Sequence, residues 1–452
     1  MNYSEEQINA FTAYSQGANT FITGPGGTGK TEFIKYIQKD ASRKGVKIQV
    51  CALTGCAAVL LECKAKTLHS WAGIGIGNGT IEQLIAKIMK NNYAKENWKN
   101  TNILVVDEVS MMSQRLFELL DAIGKTVRKN SRPFGGIQLI FSGDFYQLPP
   151  VGDQYDSETT QFCFESPLWS QTFSKEKHIQ LTRIFRQSDP IYQTILNQIR
   201  EGRLAYSSNE LLRSNVGRQI TDENEVRPTK LFPTRNKVEQ VNAKEMNQLN
   251  TDEIEYNMKC QTDLKMTPNE MVKRRHFTRD QIQKELLYLK ANLRCDEIVR
   301  LKVGAQVMCI VNIDLENGQT LCNGSQGVIT RLSEEGLPIV KFTSTVGSTF
   351  ETVMGYHTWP SENIPGIGVS QLPLILAWAL TIHKSQGATL DIAEIDAGSG
   401  IFACGQTYVA LSRVKSLEGL YLTSFDASKI KVSRKVQEFY SSISINDKKE
   451  NA

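Results

Sequence analysis

The chain has 452 residues, 40% of them hydrophobic and 22% charged, with a formal net charge of +4. That length admits about three domains with real cores, and the mild positive balance permits a nucleic-acid partner without demanding one. Nine cysteines with no C-x-x-C pair give neither a zinc-finger spacing nor a disulfide framework, which fits a reducing compartment. The longest apolar run, Leu372 to Ile382, is broken by Pro373 and too short to span a bilayer. Met1 to Gln7 lacks the basic and apolar parts of a secretion signal. A soluble intracellular protein is expected, with a short N-terminus that leaves no room for a separate targeting or regulatory domain.

In chain order, Ser4-Glu5-Glu6-Gln7 opens like a helix cap. Gln7 then stands where an amide can read an adenine edge. The apolar run Thr20-Phe21-Ile22-Thr23 leads into Gly24-Pro25-Gly26-Gly27-Thr28-Gly29-Lys30-Thr31, followed by the helix-like Glu32 to Ile37. This matches G-x-x-x-x-G-K-[ST] in the strand, loop, helix context that the motif requires. The glycines let backbone N–H groups turn toward phosphate oxygens, and the new helix adds its positive end. Lys30 is expected on the β- and γ-phosphates and the Thr31 hydroxyl on Mg²⁺.

Val46 to Val50 reads as a strand running into Cys51-Ala52-Leu53-Thr54-Gly55-Cys56-Ala57-Ala58, small and hydroxyl residues suited to a backbone passing close by. In Thr67-Leu68-His69-Ser70-Trp71, the tryptophan is equally a base-stacking platform or core filler. Gly73 to Lys99 reads as an insertion. Asn102 to Val106 is a buried parallel strand that delivers Asp107 and Glu108 at its carboxyl end. Next to a phosphate loop that pair is a Mg²⁺ ligand and a base for the attacking water, so hydrolysis is favoured over mere binding. Ile137 to Phe141 is a further buried strand, ending in Ser142-Gly143-Asp144-Phe145-Tyr146-Gln147-Leu148-Pro149-Pro150 and placing Gln147 as a γ-phosphate sensor.

Leu181 to Gln187 opens a second unit and carries Arg186. Residues 236–300 read as charged helical scaffold. From Val303 to Ser370, short β-branched runs broken by glycine suggest a small antiparallel barrel. The α/β pattern returns with Leu374 to Thr381, then Ile382-His383-Lys384-Ser385-Gln386-Gly387, and Gln406 to Val414, which carries an exposed-looking Arg413.

Taken together, GPGGTGKT, ALTGCAA, TLHSWAGIG, VDEVSMM, FSGDFYQLPPV, LTRIFRQ, LAWALTIHKSQGATLD and QTYVALSRV resemble, in order, the motifs of Pif-type superfamily-one DNA helicases. The segments Leu116 to Asn130 and Pro133 to Ile140 resemble the stretch that separates this family from RecD-like enzymes. The resemblance runs from about Gln7 to Leu420 and thins between Lys237 and Leu301. It implies an α/β fold of two RecA-like P-loop domains: residues 1–180 with a wedge insertion at about 73–99, then 181–302 and 371–445 with an Src-homology-type β-barrel inserted at 303–370. It implies ATP and Mg²⁺ at the interdomain cleft, Arg186 and Arg413 as arginine fingers on the second domain, and Thr54, His69, Thr381, His383 and Lys384 along the single-strand path. The implied activity is ATP-dependent, 5′-to-3′ translocation and unwinding by a monomer with no obligate protein partner, acting on single-stranded and on tailed or forked duplex DNA in the nucleus, the cytoplasm or a viral replication compartment. An RNA helicase, or a single-strand-stimulated ATPase that remodels protein–nucleic acid complexes, stays open on the residues alone. A P-loop kinase or transporter ATPase gives no reason for the His383-Lys384-Ser385-Gln386 run.

Overall fold

A computed structural model describes residues 4–450 apart from 55–56, 59–60, 62, 64, 76, 78, 153–155, 220–226, 294, 315–319, 322, 344–348 and 362. Gly55 and Cys56 of the second motif therefore lie outside the described residues. The chain divides into two compact units, one of Met1–Leu204, Ala403–Tyr408 and Ile430–Ala452, the other of Ala205–Phe402 and Val409–Lys429.

The first unit is built on strands β1 (Thr20–Thr23), β2 (Ile48–Ala52), β3 (Lys66–Thr67), β4 (Ile103–Asp107), β5 (Gln138–Gly143) and β6 (His178–Gln180). They form one sheet in the order β3-β2-β4-β5-β1-β6, with every pair parallel. All residues of β1 and β4 are buried, as parallel strands covered on both faces must be. Thr23 pairs with Gly143 and Ala52 with Asp107, so these strands end at one edge, where open α/β sheets bind ligands. An aromatic cluster fills one face: Phe21, Phe141, Phe145, Trp169 and Phe173 are all buried, and Phe439 of the last helix, Arg434–Glu450, meets Phe145 edge-on at 5.4 Å. Each such ring contributes about 1.5–3 kcal/mol by burial.

The boundary expected at residue 180 falls instead after Leu204, and the chain returns to the first unit twice more. Three features account for this. Strand β6 extends the sheet beside β1, Arg200 of the helix Pro190–Glu201 bonds to Asp144, and Tyr440 of the last helix bonds to Thr23.

Residues 73–99 hold the helices Ile81–Lys90 and Asn92–Asn100, capped by Thr80 and Asn91. Trp98 ties them down: its indole Nε1 donates to the Ala72 carbonyl at 3.1 Å, and its ring lies 4.5 Å from that of Trp71. Trp71 is only 1% exposed, so of its two readings core filler is the one realised. The segments Leu116 to Asn130 and Pro133 to Ile140 form a brace. Helix Gln114–Arg128 meets a tight turn in which Phe134 takes a left-handed φ of 51°. Asp121 accepts the Phe134 N–H, while Arg128 donates to the carbonyls of Gly135, Trp98 and Thr101. The approach is so close that a Cβ on Gly124 falls 2.6 Å from the Phe134 backbone.

In the second unit a four-stranded parallel sheet runs in the order Ala379–Thr381, Thr229–Phe232, Ala393–Ala397, Leu420–Phe425. A five-stranded antiparallel sheet runs Thr349–Val353, Pro338–Thr343, Gln326–Leu332, Gln306–Cys309, Leu374–Leu376. Leu374–Leu376, expected with the returning α/β pattern, belongs to this antiparallel sheet, and the parallel strand begins only at Ala379. Residues 236–300, expected as helical scaffold, also supply strands: Ile254–Asn257 pairs with Ile298–Leu301, and Lys259–Gln261 pairs with Gly368–Gln371. Their side chains alternate too briefly for a period-two signal to stand out among the charges. Buried Gln371 secures this region by donating to the carbonyls of Tyr256, Asp296 and Glu297. No helix among the described residues is long and apolar enough to cross a membrane.

Two stability outcomes follow. Gly124→Ala is expected to cost at least about 2 kcal/mol in urea unfolding, because the added methyl meets backbone that cannot yield. The Trp169 indole donates to His178 Nε2 at 3.2 Å, and burial pushes the His178 pKa down from 6.5 to about 4. The fold holds this imidazole neutral while the unfolded chain protonates it, so its contribution is complete above pH 6.5 and is lost as pH falls toward about 4. His178→Gln should flatten that acid limb when unfolding midpoints are compared at pH 7 and pH 5.

Candidate active site

The loop after β1 carries the phosphate motif, and helix Lys30–Arg43 starts directly from Gly29, whose φ is 83°. Two of its glycines are fixed by what lies over them: a Cβ on Gly24 falls 2.3 Å from the Leu181 carbonyl oxygen, and one on Gly27 falls 2.5 Å from the Arg186 Cβ. Lys30 Nζ donates to the carbonyls of Gly24 and Pro25 at 2.7 and 2.9 Å, and Thr28 Oγ1 donates to Pro25 at 3.0 Å. The lysine is folded onto its own loop. Burial pulls its pKa down, against the opposing pull of Asp144, Glu108 and Asp107. Thr31 follows it on the first turn of the same helix.

Asp107 ends β4 and is 7% exposed; burial pushes its pKa up while the Ser142 hydroxyl and Lys30 act the other way. Glu108 takes a left-handed conformation (φ 57°, ψ 39°), strained for a residue with a Cβ, at the step from β4 into the turn Val109–Met111. Gly143 at the end of β5 makes room, since a Cβ there falls 2.9 Å from the Val109 nitrogen. Gln147 is buried in the loop after β5, where its N–H donates to the Asp144 carbonyl at 2.9 Å. Three adjacent sheet ends thus bring Lys30, Asp107, Glu108 and the Gln147 loop to one place.

Arg186, expected on the second domain, is part of the first unit. The segment that carries it lies along the phosphate loop, with Leu181 N–H donating to Thr23 and Phe185 N–H to Gly27, both at 2.8 Å. Burial lowers the Arg186 pKa; the charge of Glu108 and the nearby Tyr408 raise it. Gln7 is 7% exposed in the cap of its helix, its Oε1 accepting from Ser4 N–H at 3.0 Å. Its Nε2 and the half-exposed Phe185 ring lie 3.6 and 3.7 Å from one point above Gly29.

In the second unit Arg413, which looks exposed in sequence, is 2% exposed. It donates from Nε to the Val409 carbonyl at 3.0 Å and from Nη2 to Ser412 Oγ at 2.8 Å. Thr381, His383 and Lys384 share the turn after strand Ala379–Thr381, with Lys384 N–H donating to Thr381 Oγ1 at 3.0 Å and the Lys384 side chain exposed. In the first unit His69 lines a cavity of about 490 Å³ together with Leu53, Arg115 and Val151. Thr54, next to Leu53, caps a turn by accepting the Ala57 N–H at 3.1 Å. Burial lowers the pKa of both His69 and His383, favouring neutral imidazoles.

Sequence reasoning missed the residues that hold the site. Asp144, fully buried, takes two hydrogen bonds of 2.8 Å from Arg200 Nε and Nη2. The guanidinium lies 4.5 Å from the Tyr146 ring centroid and 5.2 Å from that of Tyr440. The Tyr440 hydroxyl is 2.5 Å from Thr23 Oγ1 and accepts the Phe145 N–H at 3.2 Å. Tyr408 meets the phosphate loop, accepting the Gly26 N–H at 2.8 Å. Asp144 lay in a recognisable motif, but Arg200 and Tyr440 are single residues on amphipathic helices with no local signal.

A parallel sheet whose strand ends gather a glycine-rich loop, its lysine and a pair of acids defines a P-loop nucleotide-binding α/β protein. A profile described as "PIF1-like helicase" matches residues 3–210, and one described as "DNA helicase Pif1, 2B domain" matches residues 286–332. The crystal structure of Pif1 helicase from Candida albicans is 34% identical, with a TM-score of 0.75, over 98% of this chain and 100% of that one. A Bacteroides Pif1 in complex with ADP-AlF4 is 28% identical, with a TM-score of 0.76, over 99% and 98% of the two chains. The human ATP-dependent DNA helicase PIF1 is 34% identical over 97% of this chain, which spans 64% of the human protein. The chain belongs to the PIF1-like helicase family.

The buried pair makes a stability prediction. Arg200→Ala or Asp144→Asn alone should cost about 3–5 kcal/mol in urea unfolding, because each leaves its partner buried without a counterion. The double substitution should cost clearly less than the sum of the two.

Proposed function

We propose that this protein is an ATP-dependent DNA helicase that moves 5′ to 3′ on single-stranded DNA as a monomer and unwinds tailed or forked duplex. The observation that carries this reading is the position of Lys30, half-buried, acted on by the charges of Asp107, Glu108 and Asp144 and spending its donors on loop carbonyls. It is a cation placed to receive an anion. The ATP dependence and the DNA substrate are supported by the similarity to the human ATP-dependent DNA helicase PIF1, and the polarity by the motif resemblance.

In this reading the phosphates take the loop N–H groups and the helix N-terminus, and Lys30 leaves the carbonyls for phosphate oxygens. Gln7 meets the adenine edge, with the Phe185 ring beside it. A Mg²⁺ ion would be held by the Thr31 hydroxyl and the Asp107 carboxylate, a sparse oxygen donor set of the kind this hard cation takes beside substrate phosphates. When bound, the ion neutralises phosphate charge. Glu108, strained into place, orients and deprotonates the attacking water, and Gln147 senses the γ-phosphate. Arg186, already over Gly27, and Arg413 stabilise the charge of the transition state; such arginines contribute roughly 10³ to 10⁵ in rate.

Thr54 and His69 on one RecA-like domain, and Thr381, His383 and Lys384 on the other, grip the strand in alternation. Residues 73–99 act as the wedge and 303–370 form an Src-homology-type barrel. Parting duplex costs about 1.4 kcal/mol per step on average, a load within reach of one hydrolysis.

Lys30→Ala should abolish nucleotide binding and unwinding together. Glu108→Gln should keep nucleotide binding while turnover falls by about 10²-fold or more, as loss of a general base does. Duplexes with a 5′ tail should be unwound and those with a 3′ tail left intact; unwinding from the 3′ tail alone would overturn the polarity.

A further inference from the structure

The loop N–H that a phosphate oxygen needs is already in use. Gly26 N–H donates to the Tyr408 hydroxyl at 2.8 Å, in the same loop whose lysine is folded onto Gly24 and Pro25. Tyr408 is 3% exposed, and the charges of both Arg186 and Arg200 act on it. Its hydroxyl oxygen therefore sits within hydrogen-bond reach of a phosphate-loop donor and under the influence of two guanidinium groups, a place suited to an anionic oxygen.

What brings the tyrosine there is a rigid approach. Gly405, with φ 71°, is pressed so closely on the Gln147 loop that a Cβ there falls 2.4 Å from the carbonyl oxygens of both Tyr146 and Gln147. Its N–H donates to the Lys431 carbonyl at 3.1 Å. The helix Gln406–Leu411 starts from that point, and the chain leaves the first unit just after Tyr408. Arg413 follows five residues later in sequence.

We propose that the Tyr408 hydroxyl is a stand-in for a nucleotide phosphate oxygen: it competes with nucleoside di- and triphosphates for the Gly26 N–H, and its displacement passes occupancy of the loop to the helix Gln406–Leu411. Tyr408 is thus a positioning residue, and the proposal rests on the nucleotide-binding reading given above. A single neutral hydrogen bond in competition sets the scale. Tyr408→Phe, which keeps the ring and removes the hydroxyl, should tighten ADP binding by about fivefold. Adenosine, which has no phosphate to contest the N–H, should bind as it does to the natural protein.

The test is titration of the full chain and of Tyr408→Phe with a fluorescent ADP, and displacement of that probe by unlabelled ADP and by adenosine. Tighter ADP with unchanged adenosine supports the proposal. Unchanged or weaker ADP binding overturns it, as does equal tightening of both ligands, which would report a general repacking of the site. Failure of the natural protein to bind the probe, or binding that survives Lys30→Ala, sinks the nucleotide reading instead, so the two failures are distinct. Hydrogen–deuterium exchange on the natural protein gives a second measurement free of folding defects. ADP should speed exchange in residues 403–408 while protecting the phosphate loop, and protection of both overturns the displacement.

Discussion

The buried bond between Arg200 and Asp144 is the constraint on which the first unit's site depends. With side chains 3% and 0% exposed, the pair is costly to desolvate, and packed apolar residues are often at least as stabilising. Its value lies in geometry. Asp144 follows β5 directly, so its carboxylate position sets where Phe145, Tyr146 and Gln147 run, and the Tyr440 hydroxyl fixes Thr23 at the end of β1 in the same network. Both strand ends that flank Lys30 are thereby pinned. Charge balance depends on it as well: Asp107, Glu108 and Asp144 all act on Lys30, and Arg200 neutralises the one of the three that has no part in the proposed chemistry.

Placement was legible in the sequence where it is local. The phosphate loop and the paired acids follow buried strands directly, Gln147 lies in the loop after another, and parallel pairing brings such strand ends together. Placement across hundreds of residues was not legible. Arg186 reads as the start of a new domain because an apolar pair precedes it; in the structure its segment lies over the phosphate loop because β6 has joined the sheet beside β1. Arg413 reads as exposed because arginine is seldom fully buried, whereas this one turns back to Val409 and Ser412. Trp71 was ambiguous because its partner Trp98 lies at the far end of a segment with no motif.

The second unit shows a different limit. A glycine-punctuated β-branched pattern correctly located the antiparallel strands, yet pattern says nothing about where a sheet recruits its edges. Lys259–Gln261 and Leu374–Leu376 are short, and their identity as strands comes from their partners at Gly368–Gln371 and Gln306–Cys309. Two buried glutamines do the joining. Gln371 satisfies the carbonyl of Tyr256 on one strand and those of Asp296 and Glu297 just ahead of another, and Gln306 donates to Arg227 and Ala377 next to the parallel sheet. Polar residues in such positions look like surface until the groups they satisfy are known.

The separation of Thr23 from Tyr440 has a consequence for how the molecule is made. Their hydroxyls meet across 417 residues of chain. A ribosome adding about 5–20 residues per second finishes the β1 to β6 sheet early, then needs tens of seconds more before the last helix emerges. Throughout that interval the aromatic face awaiting Phe439 and the Asp144 network stand open to water. The nascent first unit is thus held unfinished until the whole of the second has been synthesised, and its completion is a late event in the life of the chain.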